Sequence, residues 1–191
     1  MKNVPTSYLL TCAVLGVAGG LLIGPANWAS TALFATVPFV SVAIAGLWLL
    51  PAVIALRLLK RPGAGLLVGL VSGLVIIPFS GYGFSSVATN LWWAFVAEVG
   101  FLVVLYRFWT IWQHYAGALV VGVAYPLLSW AVFDLDAYPI ALRVAFFALT
   151  TVSALAGTAL GVAIAAALRR AGVRPAAARR RSSVDAGADS R

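Results

Sequence analysis

Six long apolar stretches follow one another along the chain, separated by short segments rich in proline, glycine or charged residues. The stretches cover residues 7–24, 41–59, 63–79, 88–106, 116–133 and 140–168. A helix that crosses a bilayer needs about 20 apolar residues, and somewhat fewer inside a bundle. Because lipid offers no partners to backbone polar groups, each stretch predicts a helix. The pattern therefore predicts an all-α, polytopic bundle of six transmembrane helices over residues 1–171.

The composition agrees with helices that are surrounded by lipid. Of the 191 residues, 63% are hydrophobic and 9% are charged, and the mean hydropathy is +1.02. In a soluble domain roughly a quarter of all residues are charged, and they cover its surface. The charged fraction of this chain is far lower, so a soluble globular fold is excluded. The net charge of +8 does not indicate nucleic-acid binding, because the basic residues sit at the ends of apolar stretches and in the tail. The single cysteine, Cys12, lies in an apolar stretch and indicates a small buried side chain.

The basic residues also predict which side of the membrane each loop faces. With the N-terminus inside, every Lys and Arg except Arg143 falls on the cytoplasmic side, while Asp134 and Asp136 face out. Cytoplasmic loops are enriched in Lys and Arg, so both termini of this multi-pass plasma-membrane protein are expected in the cytoplasm. Residues 172–191 are expected to form a disordered basic tail.

A longer segment separates the first two apolar stretches. The first stretch is interpreted as a retained helix, because five more follow it. Residues 25–40 are too long for a tight turn and contain Pro25 and Pro38. They are expected to form an outer loop that either lies in the membrane interface, with Trp28 as an aromatic anchor, or folds over the bundle as a lid.

Small residues recur at every fourth position in three of the stretches. They are Gly16, Gly20 and Gly24 in the first, Gly65, Gly69 and Gly73 in the third, and Ser153, Gly157, Gly161 and Ala165 in the sixth. This spacing places each set on one helix face, where a neighbouring backbone can approach closely. Packing within the bundle explains such stripes, but the stripe on the first helix is also a candidate surface for docking another membrane subunit.

Glu98 is the one acidic residue inside an apolar stretch. A carboxylate in the hydrocarbon region is costly and predicts a functional site that faces the protein interior or a wet cavity. If its helix runs inward from about residue 90, Glu98 lies about 10 Å below the outer surface at 1.5 Å per residue. The alternative is a structural hydrogen bond between Glu98 and a Ser or Thr of another helix.

Several aromatic and polar residues are expected at a similar depth or above it. They are Trp48, Tyr125, Ser72, Asn90, Tyr82 and Trp28. With Glu98 they would suit a flat heteroaromatic ligand that carries an amino or cationic group, because the rings stack and the carboxylate pairs with the amine. Trp92 and Trp93 fall on the other side of the helix and are interpreted as interfacial anchors.

The sequence does not indicate an enzyme or a bound cofactor. His114 stands alone in a short inner segment, where a solvated histidine is expected. No serine has a Gly-x-Ser-x-Gly context, and no His-Glu pair has the spacing of a zinc site. No phosphate-binding loop is present in the sequence, so ATP hydrolysis would have to come from a partner subunit.

Three short sequences, taken in order, resemble those of a known family. They are Gly46-Leu-Trp48-Leu-Leu-Pro51-Ala, Lys60-Arg61-Pro62-Gly63-Ala64, and Ala97-Glu98 ahead of Arg107. With six spans in a chain of this length, residues 10–165 resemble the YkoE-like substrate-binding (S) components of energy-coupling factor (ECF) transporters.

The resemblance implies a receptor for thiamine or its hydroxymethylpyrimidine precursor. Such a receptor works with a transmembrane coupling subunit and two cytoplasmic ATPase domains. The resemblance also implies that the stripe of Gly16, Gly20 and Gly24 docks on the coupling subunit and that Glu98 anchors the ligand. The rival hypothesis is a structural or assembly subunit of a membrane complex, in which Glu98 pairs with a partner helix.

Overall fold

Six helices make up the fold in the computed structural model, which describes residues 5–173. They are α1 (Thr6–Thr36), α2 (Pro38–Leu59), α3 (Ala64–Phe79), α4 (Ser85–Leu102), α5 (Trp112–Leu128) and α6 (Ile140–Arg170). No strand occurs in this part of the chain, so the all-α prediction is confirmed. The predicted tail lies outside the described residues from position 174 onward, as does Lys2.

Three of the helices, α1, α2 and α6, are long and apolar enough to cross a membrane by their length and composition. The α3 helix is apolar but shorter. Large apolar side chains such as Leu10, Val14 and Leu128 are more than 60% exposed on the outside of the bundle. Lipid is the solvent that makes such a surface stable. The count of six spans and the orientation of the termini stay predictions.

The segment after Pro25 is the first point at which the structure differs from the sequence-based expectation. The α1 helix continues through Pro25 to Thr36, so residues 25–36 are not a loop. Residues 26–36 contain no glycine, proline or charged residue, and the Thr31 hydroxyl bonds back to the Asn27 carbonyl. The helix ends at Thr36, because Val37 precedes Pro38 and a residue before proline is disfavoured in the α-region.

The α2 helix lies at the centre of the bundle. It contacts α1, α3, α4 and α6, whereas the remaining contacts join neighbours: α1 to α3, α3 to α4, α4 to α5, and α5 to α6. Its first half departs from α geometry, since Val42–Leu49 form a 3-10 helix before the α-helical residues Leu50–Leu59. The α2 helix therefore supplies many of the core residues and also contains an irregular segment.

All three small-residue stripes are used for packing inside the bundle. A Cβ on Gly20 would meet Val75 of α3 at 2.7 Å, one on Gly73 would meet Val87 of α4 at 2.8 Å, and one on Gly161 would meet Val53 of α2 at 2.9 Å. Gly16, Gly20 and Gly24 are buried. Gly16 and Gly20 of the first stripe pack against α3 within the chain, and docking of another membrane subunit on this stripe stays a prediction.

Candidate functional site

A cavity of about 200 Å³ lies between the helices at the end of the bundle that carries the loop of residues 80–84. Its walls come from α1 to α5 and from that loop. The lining residues are Asn27, Ser30, Ser41, Ala45, Trp48, Ile76, Tyr82, Ser85, Ser86, Thr89, Asn90, Trp93 and Tyr125. Among the residues that the structure describes, no charged side chain lines this cavity. Its chemistry is aromatic and neutral-polar.

The cavity continues into a wider vestibule of about 600 Å³. Ser30, Tyr82, Thr89 and Tyr125 belong to both spaces, as do Ser41 and Trp93. The vestibule also reaches Leu128, the last residue of α5, and Phe133 in the segment that follows it. The positive-inside prediction assigns this end of the bundle to the outside. The vestibule is therefore predicted to face the external medium.

Aromatic rings from three helices meet at the cavity. The Trp93 ring of α4 lies 6.3 Å from the Trp48 ring of α2 and 5.2 Å from the Tyr125 ring of α5, with interplanar angles near 30°. Trp92 packs edge-on against Trp93 at 4.9 Å. Such rings bury large apolar area and hold their geometry well. They form a wall on which a flat ring can stack.

The Ser80 hydroxyl joins α1, the loop and α4 on the polar side of the cavity. Its oxygen lies within hydrogen-bond distance of Asn27 Nδ2 at 3.1 Å, the Tyr82 N–H at 3.1 Å and the Ser86 hydroxyl at 2.7 Å. The Asn90 amide nitrogen donates to the Ser86 carbonyl at 2.8 Å. Because Asn27 and Asn90 donate within the protein, their side-chain oxygens are left to accept from a ligand.

Four of the residues expected at the site are brought together by the fold. Trp48, Tyr125, Asn90 and Tyr82 all line the cavity. Trp93, by contrast, was expected to be an interfacial anchor, and that interpretation is wrong: it is 3% exposed and lies against both Trp48 and Tyr125.

Glu98 lies away from the cavity. Its side chain is 1% exposed, Oε1 accepts from the Gly65 N–H at 2.7 Å, and Oε2 accepts from the Tyr106 hydroxyl at 2.8 Å. Gly65 is in the first turn of α3, where free N–H groups and the helix dipole favour a carboxylate. Burial raises the pKa of Tyr106 to about 12, and the bond to Glu98 adds to this, so the phenol remains a donor. Both contacts are structural hydrogen bonds within the protein, but the donors are a backbone N–H and a tyrosine hydroxyl rather than the expected Ser or Thr.

The expected depth of Glu98 is also corrected. The α4 helix begins at Ser85, so Glu98 is about 20 Å from the start of the helix at 1.5 Å per residue. It is one turn from the end of α4 at Leu102, close to the loops predicted to be cytoplasmic. Tyr106, its partner, lies in one of these loops.

Two other expected site residues lie elsewhere. Ser72 is 1% exposed, and its hydroxyl donates to the Gly16 carbonyl at 2.9 Å between α3 and α1. Trp28 is 59% exposed and lines an outer groove with Pro25 and Phe79. Neither side chain touches the cavity. Both are therefore left out of the candidate site.

His114 is not the solvated loop histidine that was expected. It lies in the first turn of α5, is 2% exposed, and packs its ring edge-on to Phe101 at 4.8 Å. Its Nδ1 atom has no hydrogen-bond partner within residues 5–173. The histidine is thus part of the core near the end of the bundle opposite the cavity.

Two of the cavity residues missed from the sequence follow a recognisable pattern. Ser86 and Trp93 lie four residues before and three residues after Asn90, which was expected at the site, and this spacing places all three on one face of a helix. Glu98 was taken to mark the functional face of α4, and at 100° per residue Trp93 is about 140° away from it. If the rotational orientation of α4 had been inferred from the hydroxyl and amide residues of its first half, the cavity-lining face would have been found. Asn27 was missed because its segment was interpreted as a loop.

Comparison with known proteins gives two matches. A profile of the family described as "ABC-type cobalt transport system, permease component" matches residues 8–124. A solved structure described as "Crystal structure of an S-component of ECF transporter" superposes with a TM-score of 0.81, covering 99% of each chain at 17% identity. At this identity the second match establishes the fold alone. No curated protein matches the sequence.

Proposed function

Because the chain belongs to the family of ABC-type cobalt transport system permease components, we propose that it is the substrate-capturing S component of an ECF-type importer in the plasma membrane. The observation that carries this proposal is the neutral aromatic cavity that opens at the predicted outer end. A capture subunit needs a site that is accessible from outside. The energy for transport comes from ATP hydrolysis by cytoplasmic ATPase subunits, which act through a coupling subunit.

The cavity chemistry favours an organic ligand over a metal ion. Its wall offers amide oxygens, hydroxyl groups and aromatic rings. Within the described residues, no three His, Cys, Asp or Glu side chains come together. Transition metals such as cobalt prefer imidazole, thiolate or carboxylate ligands. The substrate named in the family description is therefore not the one we propose for this chain.

Hydroxymethylpyrimidine, or thiamine that contains it, fits the arrangement. A pyrimidine ring would stack against the wall of Trp48, Trp93 and Tyr125. Its amino and hydroxyl groups would donate to the side-chain oxygens of Asn27 and Asn90. A cavity of about 200 Å³ suits one ring, and the larger thiamine would extend into the vestibule.

Ligand binding by the purified protein tests this proposal. Native mass spectrometry should find a pyrimidine compound on the wild type, and calorimetric titration should give a dissociation constant. Trp93→Ala should weaken binding at least about 100-fold, because loss of a buried aromatic contact costs on the order of 3 kcal/mol. Trp28→Ala is the matched control, since Trp28 lies outside the cavity. Equal weakening by both variants, or no binding by the wild type, would contradict the substrate assignment.

An assembly subunit remains the rival function from another class. Uptake by cells separates the two. A capture subunit confers growth on external pyrimidine when coupling and ATPase subunits are present, and Asn90→Ala should abolish that growth. An assembly subunit would instead change the abundance of its partners, and Asn90→Ala would have no effect on uptake.

A further inference from the structure

One side chain of α6 is inserted into the 3-10 segment of α2. The segment Val42–Leu49 is eight residues long, whereas 3-10 runs longer than three or four residues are uncommon. The Ser153 hydroxyl accepts from the Gly46 N–H at 2.9 Å and donates to the Ala43 carbonyl at 2.7 Å. In a regular 3-10 helix these two backbone groups would bond each other. The Ser153 hydroxyl therefore takes the place of one backbone hydrogen bond of the segment, between Gly46 and Ala43.

The close approach of the two helices makes this insertion possible. A Cβ on Gly46 would overlap the backbone of Ser153, and a Cβ on Gly157 would overlap the backbone of Gly46. Ser153 is one turn before Gly157 on the same face of α6 and is 7% exposed. The close contact between α6 and α2 thus keeps the Ser153 hydroxyl against the α2 backbone.

The 3-10 geometry determines which side chains of α2 face the cavity. Ala45 and Trp48 both line it, and residues three apart are eclipsed in a 3-10 helix. In an α-helix the same two residues would be turned about 60° from each other at 100° per residue. A return of this segment to α geometry would therefore rotate Ala45 away from the cavity relative to Trp48.

We propose that Ser153 is a positioning residue for the ligand site, which acts by holding Val42–Leu49 in 3-10 geometry so that Ala45 and Trp48 share one cavity wall. The inference rests on the proposed function, because it assumes that this cavity takes the substrate. Ser153 itself is not among the cavity-lining residues. It acts on the ligand through the α2 backbone.

Hydrogen–deuterium exchange tests the clamp without any ligand. In Ser153→Ala, amide exchange within residues 42–49 should rise about fivefold, since loss of one buried hydrogen bond is worth on the order of 1 kcal/mol. Thr150→Val is the matched control, because Thr150 is also a buried hydroxyl residue of α6 but donates within its own helix to the Phe146 carbonyl. It should leave the exchange of this segment unchanged. Unchanged exchange in Ser153→Ala would overturn the proposal.

Titration with hydroxymethylpyrimidine tests the positioning. Ser153→Ala should bind about fivefold more weakly than the wild type, and Thr150→Val within about twofold of it. Should Ser153→Ala not fold, Ser153→Cys keeps the volume, weakens both hydrogen bonds and should show a smaller change in the same direction. Equal affinity in all variants would overturn the proposal. Absence of binding by the wild type would defeat the proposed function and the positioning role together, while the exchange experiment would still decide whether the clamp exists.

Discussion

The carboxylate of Glu98 is stabilised at the start of α3 by one backbone and one side-chain donor, Gly65 and Tyr106. The N–H groups in the first turn of a helix lack intrahelical acceptors, and lipid supplies no water to accept from them. The Glu98 carboxylate is the acceptor for one of these groups. Tyr106 and its neighbour Leu105 have φ values of 55° and 50°. This left-handed conformation costs about 1–2 kcal/mol per residue. The hydrogen bond between Tyr106 and Glu98 offsets part of that cost and joins the loop of residues 103–111 to the bundle.

Removal of either partner should therefore affect stability before it affects binding. Tyr106→Phe should lower the free energy of unfolding by about 1–2 kcal/mol, because one carboxylate oxygen loses its donor. Glu98→Ala should lower the free energy of unfolding by about 2–4 kcal/mol, because it also removes the acceptor of the Gly65 N–H and leaves a cavity. Unfolding in detergent, followed by circular dichroism, measures both.

Ligand titration of the same two variants supplies the control. Both should bind hydroxymethylpyrimidine within about twofold of the wild type, because Glu98 does not line the cavity. A Glu98→Gln variant that unfolds like the wild type but no longer binds would show that the carboxylate serves the ligand after all.

Among the elements, α2 and α6 approach each other backbone to backbone at Gly46 and Gly157. Glycine at positions 46 and 157 removes the side chains that would otherwise separate the two backbones. Weak attraction between apolar helices in lipid makes such close packing a main source of association. The same contact brings Ser153 to the 3-10 segment, so the glycines contribute to both the fold and the shape of the cavity.

A graded series of alanine substitutions tests this contact. Gly157→Ala should destabilise the protein by about 2–3 kcal/mol, because its Cβ would overlap the Gly46 backbone, which cannot move alone. Gly161→Ala should cost less, since its Cβ would meet only side-chain atoms of Val53 and Leu50. Gly81→Ala has open space around it and should stay within about 0.5 kcal/mol of the wild type. Equal unfolding free energies across the series would contradict the packing argument.

At the scale of the whole molecule, the two ends of the bundle differ in charge. Lys60 and Arg107 are exposed at the end opposite the cavity mouth. At the mouth, Arg143 lies 3.8 Å from Asp136, which offsets its charge. An excess of basic residues marks the cytoplasmic side, so the cavity is expected to open outward.

Single-cysteine labelling tests this orientation in intact cells. In a Cys12→Ala background, a membrane-impermeant maleimide should label Gly81→Cys at once and label Phe108→Cys only after the membrane is permeabilised. Phe108 is 63% exposed, so its accessibility is not limited by burial. The unmodified protein should not react, because Cys12 is 2% exposed. Labelling in the reverse order would place the cavity on the cytoplasmic side.

The sequence predicted the helices better than it predicted the site. Five of the six apolar stretches agree with helices to within a few residues, and only α1 was ended too early, at Pro25. A proline inside a long helix removes one hydrogen bond, and neighbouring helices can compensate for this loss in a membrane. For the site, the fold gathers Trp48, Tyr125, Asn90 and Tyr82 but leaves out Glu98.

By itself, the sequence determined the helical class, the apolar exterior and the charge asymmetry of this protein. Each follows from local composition, because lipid requires every spanning segment to satisfy its own backbone. Only the tertiary structure decided which face of each helix meets which neighbour. That choice placed Glu98 at the start of α3, Trp93 in the cavity and Ser153 against α2. Helix phase and depth depend on where a helix begins and on its partners, and these are properties of the packed bundle.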